Sequence, residues 1–186
     1  MSKRISELTL ASSITGTEVL PIVQNGVTKK IAINTISGSN FGWGRYDDTQ
    51  YDSESPYNFT TSAFVVPNNA GNIVDNTEFD FYSSNKLRAE NENDVYVVTI
   101  AFKAKISNAN GYVDLYLEGG NGTPYDRVRD TITFPKGNNV EHTFAKTFQF
   151  YADDDVVTNG LSVKMESSDS GSIYDVIYFI QRTLKY

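Results

Sequence analysis

Val95-Tyr96-Val97-Val98-Thr99-Ile100-Ala101-Phe102-Lys103-Ala104-Lys105-Ile106 is the stretch that decides the fold. Tyr96, Val98, Ile100 and Phe102 alternate with Val97, Thr99, Ala101 and Lys103. A two-residue period of this kind puts one side chain set on a core and leaves the other half-exposed, as in a β-strand. β-Branched and aromatic residues fill most of the run, and both types favour a pleated, half-buried surface.

Moving outward, the Asn110-Gly111 turn leads into Tyr112–Glu118, and Arg127–Phe134, His142–Phe150 and Leu161–Met165 follow as further strands. Upstream, Phe59–Val66 reads as one strand closed by Pro67-Asn68-Asn69. In His142–Phe150 the parity is imperfect, because Phe144, Phe148 and Phe150 share it with His142 and Lys146. The closing run, Ile173–Tyr186, carries apolar residues at both parities near its middle, as a strand buried on two sides would. Strands separated by Gly, Asn and Pro turns, with no helical period, predict an all-β antiparallel sandwich. Among sandwiches a jelly roll of about eight strands fits best. No internal repeat is present, so a repetitive β-helix shaft is not expected.

A chain of 186 residues suits one medium domain with an appendage. Hydrophobic residues make up 39%, and the 12 Tyr and 11 Phe supply a sheet core. Cysteine is absent, which excludes disulfides, thiol nucleophiles and zinc–thiolate sites. No stretch approaches the roughly 18 apolar residues of a membrane span, and nothing before Gly16 has the apolar core of a secretory signal. The net charge is −7 and the basic residues are scattered. Phosphate backbones need clustered Lys and Arg, so nucleic acid is not an expected partner.

Residues 1–36 form an arm of a different character. Glu18–Gln24 and Val27–Ile33 are two β-rich runs joined by Asn25-Gly26, the dipeptide that best tolerates a type I′ turn. A lone hairpin is marginal in water, so Leu20, Ile22, Val23, Ile31 and Ile33 call for a partner surface. Residues 37–42, opening Ser37-Gly38-Ser39-Asn40, read as a linker, and residues 43–186 as the main domain. Trp43, the single tryptophan, is placed to pack the arm onto that domain.

The arm also resembles the N-terminal attachment segment of tailed-bacteriophage structural proteins, notably tail fibres and head fibres. The resemblance is carried by Ile5-Ser6-Glu7-Leu8 and by Ile14-Thr15-Gly16-Thr17-Glu18-Val19-Leu20-Pro21-Ile22-Val23-Gln24. It continues through Gly26, Thr28-Lys29-Lys30-Ile31 and Ile36. Residues 43–186 are similar in layout to the tumour-necrosis-factor-like jelly-roll heads of trimeric fibres. The resemblance implies a virion protein, assembled in the bacterial host cytoplasm, whose arm binds capsid or tail proteins and other copies in a homotrimer. It also implies a head displayed toward a host-surface glycan or receptor. With no shaft, the expectation is a short head fibre or capsid decoration protein. The alternatives are a small tail fibre or receptor-binding tip, and a carbohydrate-binding or carbohydrate-active protein.

The remaining chemistry favours no enzyme and calls for no cofactor. Asp153-Asp154-Asp155 is a weak calcium candidate, because consecutive carboxylates converge on one ion only if the loop folds back; a solvated turn is the preferred reading. Tyr46–Glu54 holds several carboxylates, but glycoside hydrolysis needs a pair set across a cleft, and an exposed loop is the preferred reading. His142 is the sole histidine and lacks a Gly-x-Ser-x-Gly partner, so it reads as a surface strand residue. Gly119-Gly120-Asn121-Gly122 lacks the lysine and spacing of a phosphate loop.

Overall fold

The computed structural model describes residues 19–24, 27–32, 42–76, 79–119, 125–135 and 139–185, and of residues 19–32 and 125–127 it describes the backbone alone. The chain forms two compact units, residues 1–39 and 40–186. In the first, β1 (Val19–Gln24) pairs antiparallel with β2 (Val27–Ala32), Leu20 opposite Ile31 and Gln24 opposite Val27. A two-residue connection between those ends is what Asn25-Gly26 predicts. Ile33 and residues 37–41 lie outside the described residues, as do the side chains of Leu20, Ile22, Val23 and Ile31.

The second unit is a two-layer antiparallel sandwich. One sheet has the order β12 (His142–Tyr151), β9 (Val95–Ile106), β14 (Gly171–Leu184), β3 (Gly42–Asp47), β6 (Asn72–Asp75), and β4 (Tyr57–Phe59) adds to β14. The other has the order β11 (Tyr125–Thr133), β10 (Tyr112–Gly119), β13 (Leu161–Ser167), β8 (Lys86–Leu87), β7 (Tyr82–Ser83), and β5 (Phe64–Val65) adds to β13. The deciding run is β9 itself, and its burial alternates strictly along its length. Tyr96, Val98, Ile100 and Phe102 face Val113, Leu115, Leu117, Val163 and Met165 of the opposite sheet in the core. Fully burying each such side chain contributes about 1.5–3 kcal/mol.

Three expectations are corrected. Phe59–Val66 is two short strands in opposite sheets, β4 on β14 and β5 on β13. The exposed Thr60, Thr61, Ser62 and Ala63 between them form the corner by which the chain changes layer. Residues 154–159 form a short helix, α1 (Asp154–Asn159). Its Asp153 cap and the Gly160 terminator at φ 68° supply its start and stop. The final strand is not buried on both sides. Its register shifts at Asp175, which sits at φ 51°, and from Val176 onward one parity is core while the other is open.

Buried tyrosine hydroxyls tie loops across the core. Tyr46 Oη accepts from the Phe81 amide at 2.9 Å, Tyr82 Oη donates to the Asn68 carbonyl at 2.9 Å, and Tyr178 Oη donates to the Val66 carbonyl at 3.0 Å. Each satisfies a polar group that would be costly to bury alone. Among the described residues no helix is long and apolar enough to cross a membrane.

Candidate self-association face

The outer surface of the β12–β9–β14–β3–β6 sheet is left uncovered by the described residues of the second unit. Strand register builds it in rows. Ala145, Ala101, Ile177 and Asp47 stand side by side, then Thr147, Thr99, Phe179, Arg45 and Val74, then Gln149, Val97, Gln181 and Trp43. On β12, β9 and β14 these three rows hold no charged residue. Phe179 is 39% exposed and Val74 49%. The Trp43 ring stacks on Phe179 at 5.8 Å, and Thr99 and Thr147 share a hydrogen bond of 2.8 Å. A sheet face turned to water normally alternates polar-out with apolar-in. This one is small, apolar or neutral through its middle.

Charges stand on β3 and beside the Asp175 kink and cancel locally. Arg45 Nε meets Asp47 Oδ1 at 2.8 Å, and Asn72 donates to the other Asp47 oxygen at 3.1 Å. Lys103 Nζ meets Asp175 Oδ2 at 3.0 Å. Hydrogen bonding and the negative charge of each partner raise the Arg45 and Lys103 pKa values. Tyr174 is pushed up to about 12 by burial, with Glu141, which accepts its hydroxyl, adding to the rise. A shallow concavity of about 420 Å³ opens beside the Asp175 kink, lined by Asp47, Asp48, Lys103, Thr143 and Ile177 among others. Its carboxylates are occupied structurally: Asp48 accepts from the Tyr51 and Asn69 amides at 2.8 and 2.9 Å.

The structure disperses the other residues singled out in the sequence. Trp43 lies on β3, half-buried, in its stack with Phe179. The three consecutive aspartates serve α1: Asp153 Oδ1 caps the Val156 amide at 3.0 Å, and Asp155 accepts from the Asn159 side chain at 2.6 Å. Among the described residues no group of three or more His, Asp or Glu side chains is placed to hold a metal ion. His142 is half-buried, its ring packed edge-on to Phe134 at 5.6 Å and stacked on Phe144 at 6.0 Å, so it is not the surface residue expected. The Tyr46–Glu54 stretch divides, Tyr46 entering the core from β3 and Asp48 and Asp52 capping turns. The second apolar parity of the last strand was the sequence signal at this face, read there as burial on both sides.

No protein-family model matches the chain, and no curated protein is significantly similar to it. Among solved structures, VP2 of the infectious bursal disease virus subviral particle aligns over 92% of this chain at 7% identity with a TM-score of 0.37. The alignment spans 41% of that chain, so this chain covers less than half of its length. A chain of the cowpea mosaic virus empty virus-like particle aligns over 78% of this chain and 79% of its own at 11% identity, with a TM-score of 0.27. Both likenesses are too distant to carry a statement about function.

Proposed function

We propose that this chain is a non-enzymatic structural protein of a bacteriophage particle, a short head fibre or capsid decoration protein. In this reading copies associate through the outer face of the β12–β9–β14–β3–β6 sheet, and the N-terminal hairpin attaches them to the particle. The observation that supports self-association is the central strand β14, apolar at both parities yet covered on only one, with Ile177 and Phe179 facing outward. A neutral patch on a chain of net charge −7 lets two copies approach there while their remaining surfaces repel. Identical chains close most often in a cyclic arrangement, and the resemblance of residues 5–36 to fibre attachment segments implies three-fold closure, in which this face of one copy meets a different part of the next.

Mass photometry of the full-length protein at micromolar concentration is expected to give three times the chain mass. Phe179→Glu replaces the exposed ring at the middle of the face with a charge that association would have to strip of water, and should raise the dissociation constant at least about tenfold. Its stability should stay close to that of the parent, because the side chain is already part-exposed. A monomeric parent would end the self-association reading, and a variant that remains trimeric would move the interface to the arm.

Attachment has its own test. Deleting residues 1–36 should leave a folded, sheet-rich protein, since residues 40–186 form a compact unit with its own core. Particles grown with the truncated gene should then carry at least about tenfold fewer copies, because a hairpin anchor contributes on the order of a few kcal/mol. Normal loading of the truncated chain would show that attachment lies elsewhere. Copy number separates capsid from tail: many tens per particle support decoration, and a small number confined to the tail supports a tail-fibre tip.

A further inference from the structure

Two uncharged concavities lie side by side among the loops that follow β3, β4 and β5. The first, about 390 Å³, is lined by Gln50, Tyr51, Val65, Asn68, Asn69 and Asn85 among others. The second, about 230 Å³, is lined by Tyr57, Asn58, Thr60, Ser62 and Phe64 among others. A ladder of rings runs between them: Tyr51 meets Tyr57 edge-on at 5.4 Å, and Tyr57 meets Phe64 at 5.3 Å. In a chain of which 21% is charged, no residue lining either concavity carries a charge.

The walls are fixed to the core. Asp48 holds the Tyr51 and Asn69 amides, and Asn68, 2% exposed, donates to the Tyr46 carbonyl at 2.9 Å. Tyr82 Oη holds the Asn68 carbonyl, and the tight β7–β8 turn, with Ser84 and Asn85 at φ 53° and 59°, presents Asn85. A cleft with walls already set in place loses little entropy on binding.

We propose that these joined concavities bind a neutral oligosaccharide. Gln50 and Asn85 bring amide groups, each a donor and an acceptor, suited to the paired hydroxyls of a sugar, while the Asn69 amide, bonded to Thr49 and Gly71, fixes the wall between them. Tyr51 and Tyr57 offer rings on which the C–H face of a pyranose can lie, with a hydroxyl at hand for its polar edge. The lack of charge selects against sialylated or sulfated chains, since a bound anion would find no cation to offset its desolvation. Two hollows bridged by rings favour an oligomer over a single sugar. Amides outnumber rings in the larger hollow, which favours a hydroxyl-rich ligand over a proline-rich peptide. The site shares no lining residue with the self-association face, so it stands whether or not copies associate.

Saturation-transfer NMR on the full chain tests this with maltotriose, mannotriose, galactotriose and chitotriose, and with sialyllactose and a proline-rich peptide alongside. At least one neutral trisaccharide is expected to receive saturation at its ring C–H protons, with a dissociation constant on the order of 1 mM. Tyr51→Ala should weaken that binding at least about tenfold and Asn85→Ala about fivefold, while Tyr51→Phe keeps it. The proposal fails if none of the four neutral sugars binds. It fails equally if binding survives both alanine variants unchanged, or if only sialyllactose or the peptide binds. Mass photometry of the same samples reports the oligomeric state separately.

Discussion

Raising the pH from 10 to 12 is expected to unfold this protein in one cooperative step, with tyrosinate absorbance and loss of sheet structure rising together. The tyrosine hydroxyls of Tyr46, Tyr82, Tyr96 and Tyr178 sit in the core, each residue at most 3% exposed. Burial is the largest cause in every case: it pushes Tyr96 up to about 12, Tyr46 and Tyr82 higher still, and Tyr178 well above its ordinary value. A nearby carboxylate adds to the rise: Asp80 at Tyr46, Asp48 at Tyr82 and Asp94 at Tyr96. In the unfolded chain the same groups ionise near 10. Between those values the unfolded state has released protons that the folded state still holds, so stability falls as pH rises. The contribution is fully present below pH 10 and is lost on the way up. Two pH units correspond to about 2.7 kcal/mol for each group. Several such groups together reach into the roughly 5–15 kcal/mol that holds a domain together.

Tyr178→Phe gives the sharper form of the test. It removes one titrating group and the bond to the Val66 carbonyl. At neutral pH the variant should be about 1 kcal/mol less stable than the parent. By pH 12 it should be the more stable of the two, because it no longer carries the penalty of keeping that hydroxyl protonated. Urea unfolding at the two pH values measures both signs. Independent titration of all tyrosines near pH 10, with the sheet intact, would contradict the argument.

What could be read from the sequence followed period. β9 and the hairpin strands are legible because strict alternation has one structural meaning, and Asn25-Gly26 has few uses other than a tight turn. The strands Asn72–Asp75, Tyr82–Ser83 and Lys86–Leu87 are too short to show a period, and their pairing is set by partners distant in sequence. Phe59–Val66 misled because a strand and a corner joining two strands have the same composition; only tertiary pairing divides them. The last strand misled in a more useful way. Apolar residues at both parities suggested burial on two sides, and the described residues of the second unit cover one, leaving the other as the candidate face. The saccharide cleft was not legible at all, since it assembles Gln50, Asn69 and Asn85 from three loops and depends on uncharged lining, which no local motif records.

Arg182→Ala is expected to cost about 3–5 kcal/mol, the second-largest effect, and again for a reason hidden in the sequence. Arg182 stands opposite Tyr96 in the sheet register and points into the end of the sandwich, 2% exposed. Its guanidinium is bonded to Glu90, lies 3.8 Å from Asp94 and sits over the Phe81 ring at 5.8 Å. Asp94 is fully buried, with the Tyr96 hydroxyl donating to it at 3.0 Å. Lys185 reaches Glu90 from the solvent side at 3.3 Å. Burial alone would raise the Glu90 pKa, but its bonds to Arg182 and Lys185 outweigh that and leave it below the ordinary value. Truncating Arg182 therefore takes a cation from beside the buried Asp94, which keeps its Tyr96 and Asn91 hydrogen bonds, and from Glu90, which keeps Lys185, and breaking a buried ion pair costs far more than a missing contact. Arg182→Met combined with Asp94→Asn removes both charges and should recover much of the loss. The acid limb carries the same signature. A lowered carboxylate pKa stabilises above its unfolded value and loses that contribution as pH falls through the folded one, so the parent should lose stability on acidification more steeply than Arg182→Ala. Urea midpoints for the three proteins, taken at neutral and acid pH, measure each term. A single-variant loss under about 1 kcal/mol would mean that water or relaxation of the loop at Glu90–Asp94 already shields the charge.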